Sequence, residues 1–155
     1  MIIDRFTKES GYDFLSNFYS STIRFDGCLY ATVEHAYQAA KSTDLKTREI
    51  IRKANSASEA KKLGQGITIR DDWHEIKVVI MRQLIKEKFS SPFLGHRLLS
   101  TNNSELILTN KWNDRFWGVY KGTGENWLGK ILMETREELL QEIARNADIQ
   151  FAKVD

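Results

Sequence analysis

The sequence is poor in cysteine and proline, and it has little excess charge of either sign. It contains one cysteine, Cys28, and one proline in 155 residues. A single cysteine excludes a disulfide within the chain and is typical of a reducing compartment. Twenty-three Lys and Arg against 21 Asp and Glu leave a net charge of +2. This near-balance gives little reason to expect strong non-specific binding to nucleic acid.

The sequence also has no long apolar run, and charged residues appear as early as Asp4 and Arg5. We therefore expect no membrane span, no secretory signal and a cytoplasmic location. Apolar residues make up 41% and charged residues 28%, which is typical of a globular protein of a size that can bury a core. With no linker or repeat, the sequence predicts a single domain over residues 1–146 and a frayed tail over 147–155.

Local patterns predict a mainly helical fold. Residues that favour helix caps precede four segments: Thr32, Asp44, Ser56 and Asp72. Apolar residues at three- and four-residue spacing follow, and a last helix is predicted over residues 126–146. The turn signal Asp26-Gly27 separates two short alternating segments, which predicts a hairpin. The fold class predicted is mainly α, an α-rich α+β domain with a short N-terminal β-hairpin.

The most unusual stretch is residues 32–41. If it is a helix, Glu34, Tyr37, Gln38 and Lys41 share one face, at i, i+3, i+4 and i+7. A carboxylate, a phenol, an amide and an amine are then aligned, and Glu34 and Lys41 could converge on one small ligand. From the spacing alone, a charge pair on a solvated face is the commoner explanation.

Two other stretches mix aromatic and polar residues without helical or strand periodicity. The first is residues 12–19, which suits a loop that presents Asn17 to a ligand while Phe14 and Phe18 anchor it. The second, residues 112–126, is rich in glycine and tryptophan. If these stretches meet the helix at 34–41, they line one pocket that suits a nucleotide or sugar-phosphate ligand.

The sequence gives little support for metal or cofactor chemistry. Its three histidines, His35, His74 and His96, are scattered, and no His-x-x-x-His or Cys-x-x-Cys pair is present. There is no nucleophile elbow and no P-loop. We therefore predict neither a metal nor a cofactor.

Several motifs, in order along residues 10–140, resemble those of the NADAR family, also called YbiA-like. They are residues 14–19 (FLSNFY), 26–27 (DG), 32–41 (TVEHAYQAAK), 70–73 (RDDW), 113–118 (NDRFWG) and 126–133 (NWLGKILM). No single motif is specific, but the ordered combination is. The resemblance implies a helical fold with little β-structure and an N-glycosidase activity. It implies as substrate either a phosphoribosylamino intermediate of riboflavin synthesis or a guanine base carrying ADP-ribose.

The resemblance also assigns roles to residues of this chain. It implies Glu34, Lys41 and Asp114 as catalytic residues. The predicted substrate-binding residues are Asn17, Phe18, Tyr37, Trp73, Trp117, Gly118 and Asn126. Glu34 suits a general acid/base, and Lys41 suits a Schiff base with the ring-opened sugar, with direct hydrolysis as the alternative. Plain core packing remains an alternative for Trp73 and Trp117.

The predicted partners are a nucleotide or sugar-phosphate substrate, or ADP-ribosylated DNA or RNA as substrate, and no membrane. Two alternatives to an enzyme stay open: a module that binds ADP-ribose or NAD without turnover, and an interaction protein with a vestigial pocket. The intact positions Glu34 and Lys41 favour the enzyme, because a pure binder needs no positioned acid.

Overall fold

Residues 1–154 are described by the computed structural model. Their elements are β1 (Ile2–Ile3), β2 (Ile23–Phe25), β3 (Cys28–Tyr30), α1 (Val33–Ala40), α2 (Leu45–Arg52), α3 (Ala57–Gln65), α4 (Trp73–Phe89), α5 (Pro92–Leu99), β4 (Glu105–Leu106) and α6 (Trp127–Ala152). A short 3₁₀ helix spans Asp13–Leu15. About 51% of the chain is helical and 9% is strand. The predicted mainly helical fold is therefore confirmed.

The chain forms two compact units, of which one is Phe6–Lys88. Its hairpin pairs β2 with β3 in antiparallel register, with Ile23 opposite Tyr30. Asp26 and Gly27 both have positive φ, 49° and 79°, as a two-residue hairpin turn requires. Within this unit α1 packs against α2, α3 and both strands of the hairpin, so α1 is its central helix.

Side-chain caps fix where α1, α2 and α3 begin. The Thr32 hydroxyl accepts a hydrogen bond of 3.1 Å from the backbone N–H of His35, so α1 starts at Val33. Asp44 caps α2 through Thr47 N–H, and Ser56 caps α3 through Glu59 N–H. Each cap satisfies a backbone donor that has no partner within its helix. These starts agree with the predictions from the sequence.

The other unit consists of Met1–Arg5 and the chain from Phe89 onward. In it β1 and β4 form a parallel pair, with Ile2 opposite Glu105, and α6 packs on β4 and α5. Asn126 joins these elements, because its amide donates to Leu106 O and accepts from Leu108 N–H, each at 2.9 Å. It does so from a left-handed backbone conformation just before α6.

Helix α6 is longer than predicted from the sequence, because it continues from Asn146 to Ala152. Its buried residues end at Arg136, and over residues 141–154 the side chains are exposed. Within residues 1–154 no helix has the length and apolar character needed to cross a bilayer. The single domain over 1–146 and the frayed tail over 147–155 stay predictions, and residue 155 lies outside the described part.

Candidate active site

Helix α1 is buried on all sides, including the face that carries its polar residues. Each of its eight residues is buried; Glu34 and Tyr37 are 7% exposed and Gln38 is 3% exposed. A surface charge pair on a solvated face is therefore excluded for Glu34. Burying a carboxylate and an amide inside a small unit is unfavourable unless they are hydrogen-bonded. Their hydrogen bonds therefore show how the fold accommodates them.

Glu34 is held by one side chain and one loop. Gln38 Nε2 donates a hydrogen bond of 2.7 Å to Glu34 Oε1, and the backbone N–H of Glu34 donates to Asn17 O at 3.1 Å. Burial raises the pKa of the Glu34 carboxyl above its usual range, since the charged form is poorly solvated. The hydrogen bond from Gln38 and the charges of Lys61 and Lys41 act in the opposite direction.

Lys41 lies at the C-terminal end of α1 and is half-buried. Burial lowers the pKa of its amine, while the charge of Glu34 partly offsets this and nearby Lys61 and Lys77 add to the lowering. Its Nζ lies 5.4 Å from the centre of the Tyr37 ring. The Tyr37 ring in turn lies 5.1 Å from the Trp73 ring at 56°. An acid whose pKa is raised and an amine whose pKa is lowered thus share one helix face beside two aromatic rings.

Two lysines near this pair were missed in the sequence analysis. Lys61 on α3 acts electrostatically on both Glu34 and Lys41, and Lys77 on α4 acts on Lys41. Lys77 follows Trp73 by four residues and so shares its helix face. This spacing could have identified Lys77 from the sequence. For Lys61 no such signal existed, because only the packing of α3 on α1 brings it there.

The loop before the β2–β3 hairpin carries two predicted residues. Asn17 Nδ2 lies 3.7 Å from the sulfur of Met81 on α4, and within residues 1–154 its buried Oδ1 accepts no hydrogen bond. Phe18 is 44% exposed, and with Phe6, Asp13 and Tyr19 it lines an open cavity of about 350 Å³. Asn17 is therefore connected to the Glu34 backbone, whereas Phe18 faces this cavity.

The other four predicted residues belong to the unit that contains α6. Asp114 organises the loop that follows it: its Oδ1 accepts from the backbone N–H groups of Phe116 and Trp117, at 3.1 and 2.9 Å. Its own N–H donates to Asn110 Oδ1 at 3.0 Å. These bonds give the Asp114 carboxylate a clear structural function, and its catalytic role stays a prediction.

Gly118 and Asn126 also have structural functions in that unit. A Cβ on Gly118 would lie 2.2 Å from Leu108 O, so the close approach of two backbone segments requires glycine there. The Asn126 amide is occupied by the backbone of residues 106 and 108. Trp117 is half-buried, and Phe116 packs edge-on against it at 4.9 Å. Their roles in substrate binding stay predictions.

A backbone hydrogen bond, ring contacts and electrostatic interaction thus link five predicted residues of the unit Phe6–Lys88: Asn17, Glu34, Tyr37, Lys41 and Trp73. That a single pocket also includes Asp114, Trp117, Gly118 and Asn126 stays a prediction. Among residues 1–154, no three His, Cys, Asp or Glu side chains are grouped as ligands for a metal ion.

Comparison with known proteins decides the family. A family model described as the NADAR domain matches residues 5–140. The chain belongs to the NADAR family. The solution structure of the Escherichia coli protein YbiA superposes with a TM-score of 0.83 and 35% identity, covering 93% of this chain and 88% of that one. The NADAR fold predicted from the sequence motifs is confirmed.

Named relatives point to one reaction class. The chain is 34% identical to N-glycosidase YbiA of Escherichia coli, over 91% of this chain and 90% of that protein. It is 37% identical to an N-glycosidase of Nostoc punctiforme, over 83% and 86%. It is also 38% identical to a riboflavin biosynthesis protein of Vibrio vulnificus, but it spans only 40% of that protein's length. The predicted enzyme class, a hydrolase of N-glycosyl bonds, is the one named for two of these NADAR relatives.

Proposed function

We propose that this NADAR protein is an N-glycosidase that hydrolyses a ribosyl C–N bond, with Glu34 as general acid/base. The observation that carries the proposal is the buried carboxyl of Glu34, with its raised pKa, on the same helix face as Lys41. A general acid/base works best when its pKa lies near the working pH, and burial moves a glutamate in that direction. The relatives named N-glycosidases support the reaction class.

In the direct route, a water adds its oxygen to C1′ of the ribose and gives its proton to the Glu34 carboxylate. The C1′–N bond breaks, its electron pair goes to the leaving nitrogen, and that nitrogen takes up the proton that Glu34 received from the water. Charge develops on the sugar in the transition state, which a nearby carboxylate stabilises. We further propose that Asp114 orients the water or binds the ribose hydroxyls.

In the Schiff-base route, the sugar ring first opens, so that the C1′–O4′ bond breaks and C1′ becomes an imine of the substrate nitrogen. The Lys41 amine then adds to C1′, the C1′–N bond breaks, and the substrate nitrogen leaves as an amine with the proton that Lys41 gives up. Water later hydrolyses the Lys41 imine and releases the sugar. Only the unprotonated amine is a nucleophile, so a lowered pKa increases the reactive fraction of Lys41 at neutral pH. Borohydride added during turnover should trap a covalent adduct at Lys41, read by mass spectrometry of peptides. An active enzyme that gives no adduct would exclude this route and leave direct hydrolysis.

The proposed substrates are an ADP-ribosylated guanine base, nucleotide or nucleic acid, and a phosphoribosylamino-pyrimidine of the riboflavin type. Both carry phosphate, which the cations Lys61 and Lys77 near Lys41 suit. We propose that the rings of Tyr37 and Trp73, which pack against each other and are 7% and 3% exposed, contact the base or ribose at their accessible edge. The riboflavin biosynthesis name of a relative supports the second substrate. We propose a location in the cytoplasm, because the single cysteine is typical of a reducing compartment.

The experiment compares release of the free base or amine from both substrates by the wild type, Glu34→Gln and a matched surface variant, Glu137→Gln. Release that is lost only in Glu34→Gln supports the enzyme. Tight binding of ADP-ribose without release, equal in all three proteins, would instead support the binding module.

A further inference from the structure

Within residues 1–154, the side chain of Gln38 makes one hydrogen bond, and its partner is Glu34. The two residues are one helical turn apart on α1, and Gln38 Nε2 donates to Glu34 Oε1 at 2.7 Å. Both side chains are buried, so water does not compete for this bond. A hydrogen bond to a charged group in such surroundings is stronger than one between neutral groups.

The other end of the Gln38 amide is fixed by α3. A Cβ built on Gly64 would lie 1.9 Å from Gln38 Oε1 and 2.7 Å from its Cδ. Gly64 has an ordinary helical backbone, so the absence of a side chain here makes room for the Gln38 amide. A glycine inside a helix is unfavourable by about 1 kcal/mol relative to alanine, which makes this arrangement a costly one.

The orientation of the amide follows from its two neighbours. Within residues 1–154 the buried Gln38 Oε1 has no hydrogen-bond partner. A carboxylate can only accept, so an amide turned the other way would bring two acceptors together and leave Nε2 against Gly64. A buried acceptor without a donor is rare in native structures. Here the reason is the hydrogen bond from Nε2 to Glu34, which fixes the amide with Oε1 towards Gly64.

We propose that Gln38 is a positioning residue that, wedged against Gly64, holds the Glu34 carboxyl in one orientation and favours its charged form. In doing so it leaves the second carboxyl oxygen of Glu34 for the reaction. This proposal rests on the proposed function only in that Glu34 is the acid/base; the coupling of Gln38 to Glu34 is a physical property that can be measured without turnover.

The direct measurement is an NMR titration of carboxyl-labelled protein, with the Glu34 signal assigned by its loss in Glu34→Gln. In the wild type we expect Glu34 to titrate above an ordinary glutamate, and in Gln38→Met at higher pH still, because the donor that favours the charged form is gone. The matched control is Gln141→Met, since Gln141 donates to Glu137 at the same spacing on exposed α6. An unchanged Glu34 titration in Gln38→Met would overturn the proposal.

A second measurement needs no variant at Gln38. In the wild type, the side-chain amide signal of Gln38 should shift with the titration of Glu34, and its protons should exchange slowly with solvent. The amide of Gln141 in the same spectrum serves as the internal control and should exchange fast. Fast exchange of the Gln38 amide, or no response to Glu34, would contradict the proposal even if Gln38→Met does not fold.

Activity then separates this proposal from the proposed function. In Gln38→Met we expect kcat/KM to fall by about tenfold to a hundredfold, the range for a hydrogen bond to a charged group, and the limb of the pH profile set by Glu34 to move to higher pH. A loss of activity without a shift of the profile would indicate a merely structural role and overturn the proposal. If the wild type releases no base, only the proposed N-glycosidase function is refuted. The NMR titration still tests whether Gln38 is coupled to Glu34.

Discussion

Two helices of this protein carry the same pair, a glutamate followed four residues later by a glutamine. On α1 the pair is Glu34 and Gln38, which are almost completely buried and joined at 2.7 Å. On α6 it is Glu137 and Gln141, which are exposed and joined at 3.4 Å. The residues, the spacing and the donor are the same, but the surroundings differ.

The difference shows that the chemistry of the pair comes from burial. Burial raises the pKa of Glu34, because a carboxylate loses hydration that one amide only partly replaces. On an exposed helix the same pair contributes only a few tenths of a kcal/mol. The predictions below test this comparison, from the largest expected effect to the smallest.

The first prediction removes each carboxylate in turn. Glu34→Gln should lower kcat for N-glycoside hydrolysis by about 10²- to 10⁴-fold, the usual contribution of a general acid/base. Glu137→Gln, its matched control, should stay within twofold of the wild type. The measurement is initial rate at saturating substrate. Equal activity of Glu34→Gln and the wild type would show that Glu34 is not the acid/base.

The second prediction compares a buried lysine with an exposed lysine on α4. Lys88 is 1% exposed, donates to Ser16 O at 2.8 Å and lies near the Tyr19 ring, whereas Lys86 on the same helix is exposed. Burial lowers the pKa of Lys88 to about 7, with the charge of Asp13 opposing this. In the unfolded chain the pKa of this amine is the ordinary lysine value of 10.5.

From about pH 7 upward the unfolded state therefore binds more protons at Lys88 than the folded state, so stability should rise with pH. The rise should be on the order of 4 kcal/mol by about pH 10. Urea unfolding at several pH values measures it. Lys88→Met should abolish the rise, and Lys86→Met should keep it; a rise that persists in Lys88→Met would refute the assignment.

The third prediction adds a methyl group on α3 beside the buried pair Glu34 and Gln38. Gly64→Ala places a Cβ against the Gln38 amide and should destabilise the fold by about 1–3 kcal/mol, as overpacking does. Gly66→Ala is the control, because the nearest atom to its Cβ would be Leu63 O at 3.7 Å, an ordinary contact. Thermal unfolding measures both variants.

A double-mutant cycle shows whether Gly64 acts through Gln38. In Gln38→Ala the amide that the Cβ of Gly64→Ala would contact is absent, so the double variant should lose little more stability than Gln38→Ala alone. Additive losses would mean that Gly64 acts by some other contact.

The smallest effect concerns the exposed pair. Gln141→Ala should change the free energy of unfolding by at most about 0.5 kcal/mol, since both partners are solvated whether or not they bond. Chemical denaturation of Gln141→Ala and of Gln38→Met in the same buffer measures the two changes. A change as large as that in Gln38→Met would remove the distinction between the two pairs.

The local elements were predictable because their signals lie within a few residues. Thr32, Asp44 and Ser56 cap their helices through bonds that reach three residues along the chain. The Asp26-Gly27 turn needs positive φ at both positions, which the residue types favour. The ordered motifs were enough to predict the NADAR family, which the comparisons confirmed.

What the sequence determined by itself is the helical class, the hairpin, the family and the shared face of Glu34, Gln38 and Lys41. The tertiary structure alone decided that this face is buried, that Lys61 lies near it and that Gly64 makes room for Gln38. The physical reason is range: a cap or a turn is a bond between near neighbours, whereas the burial of a carboxylate depends on which distant helices pack around it.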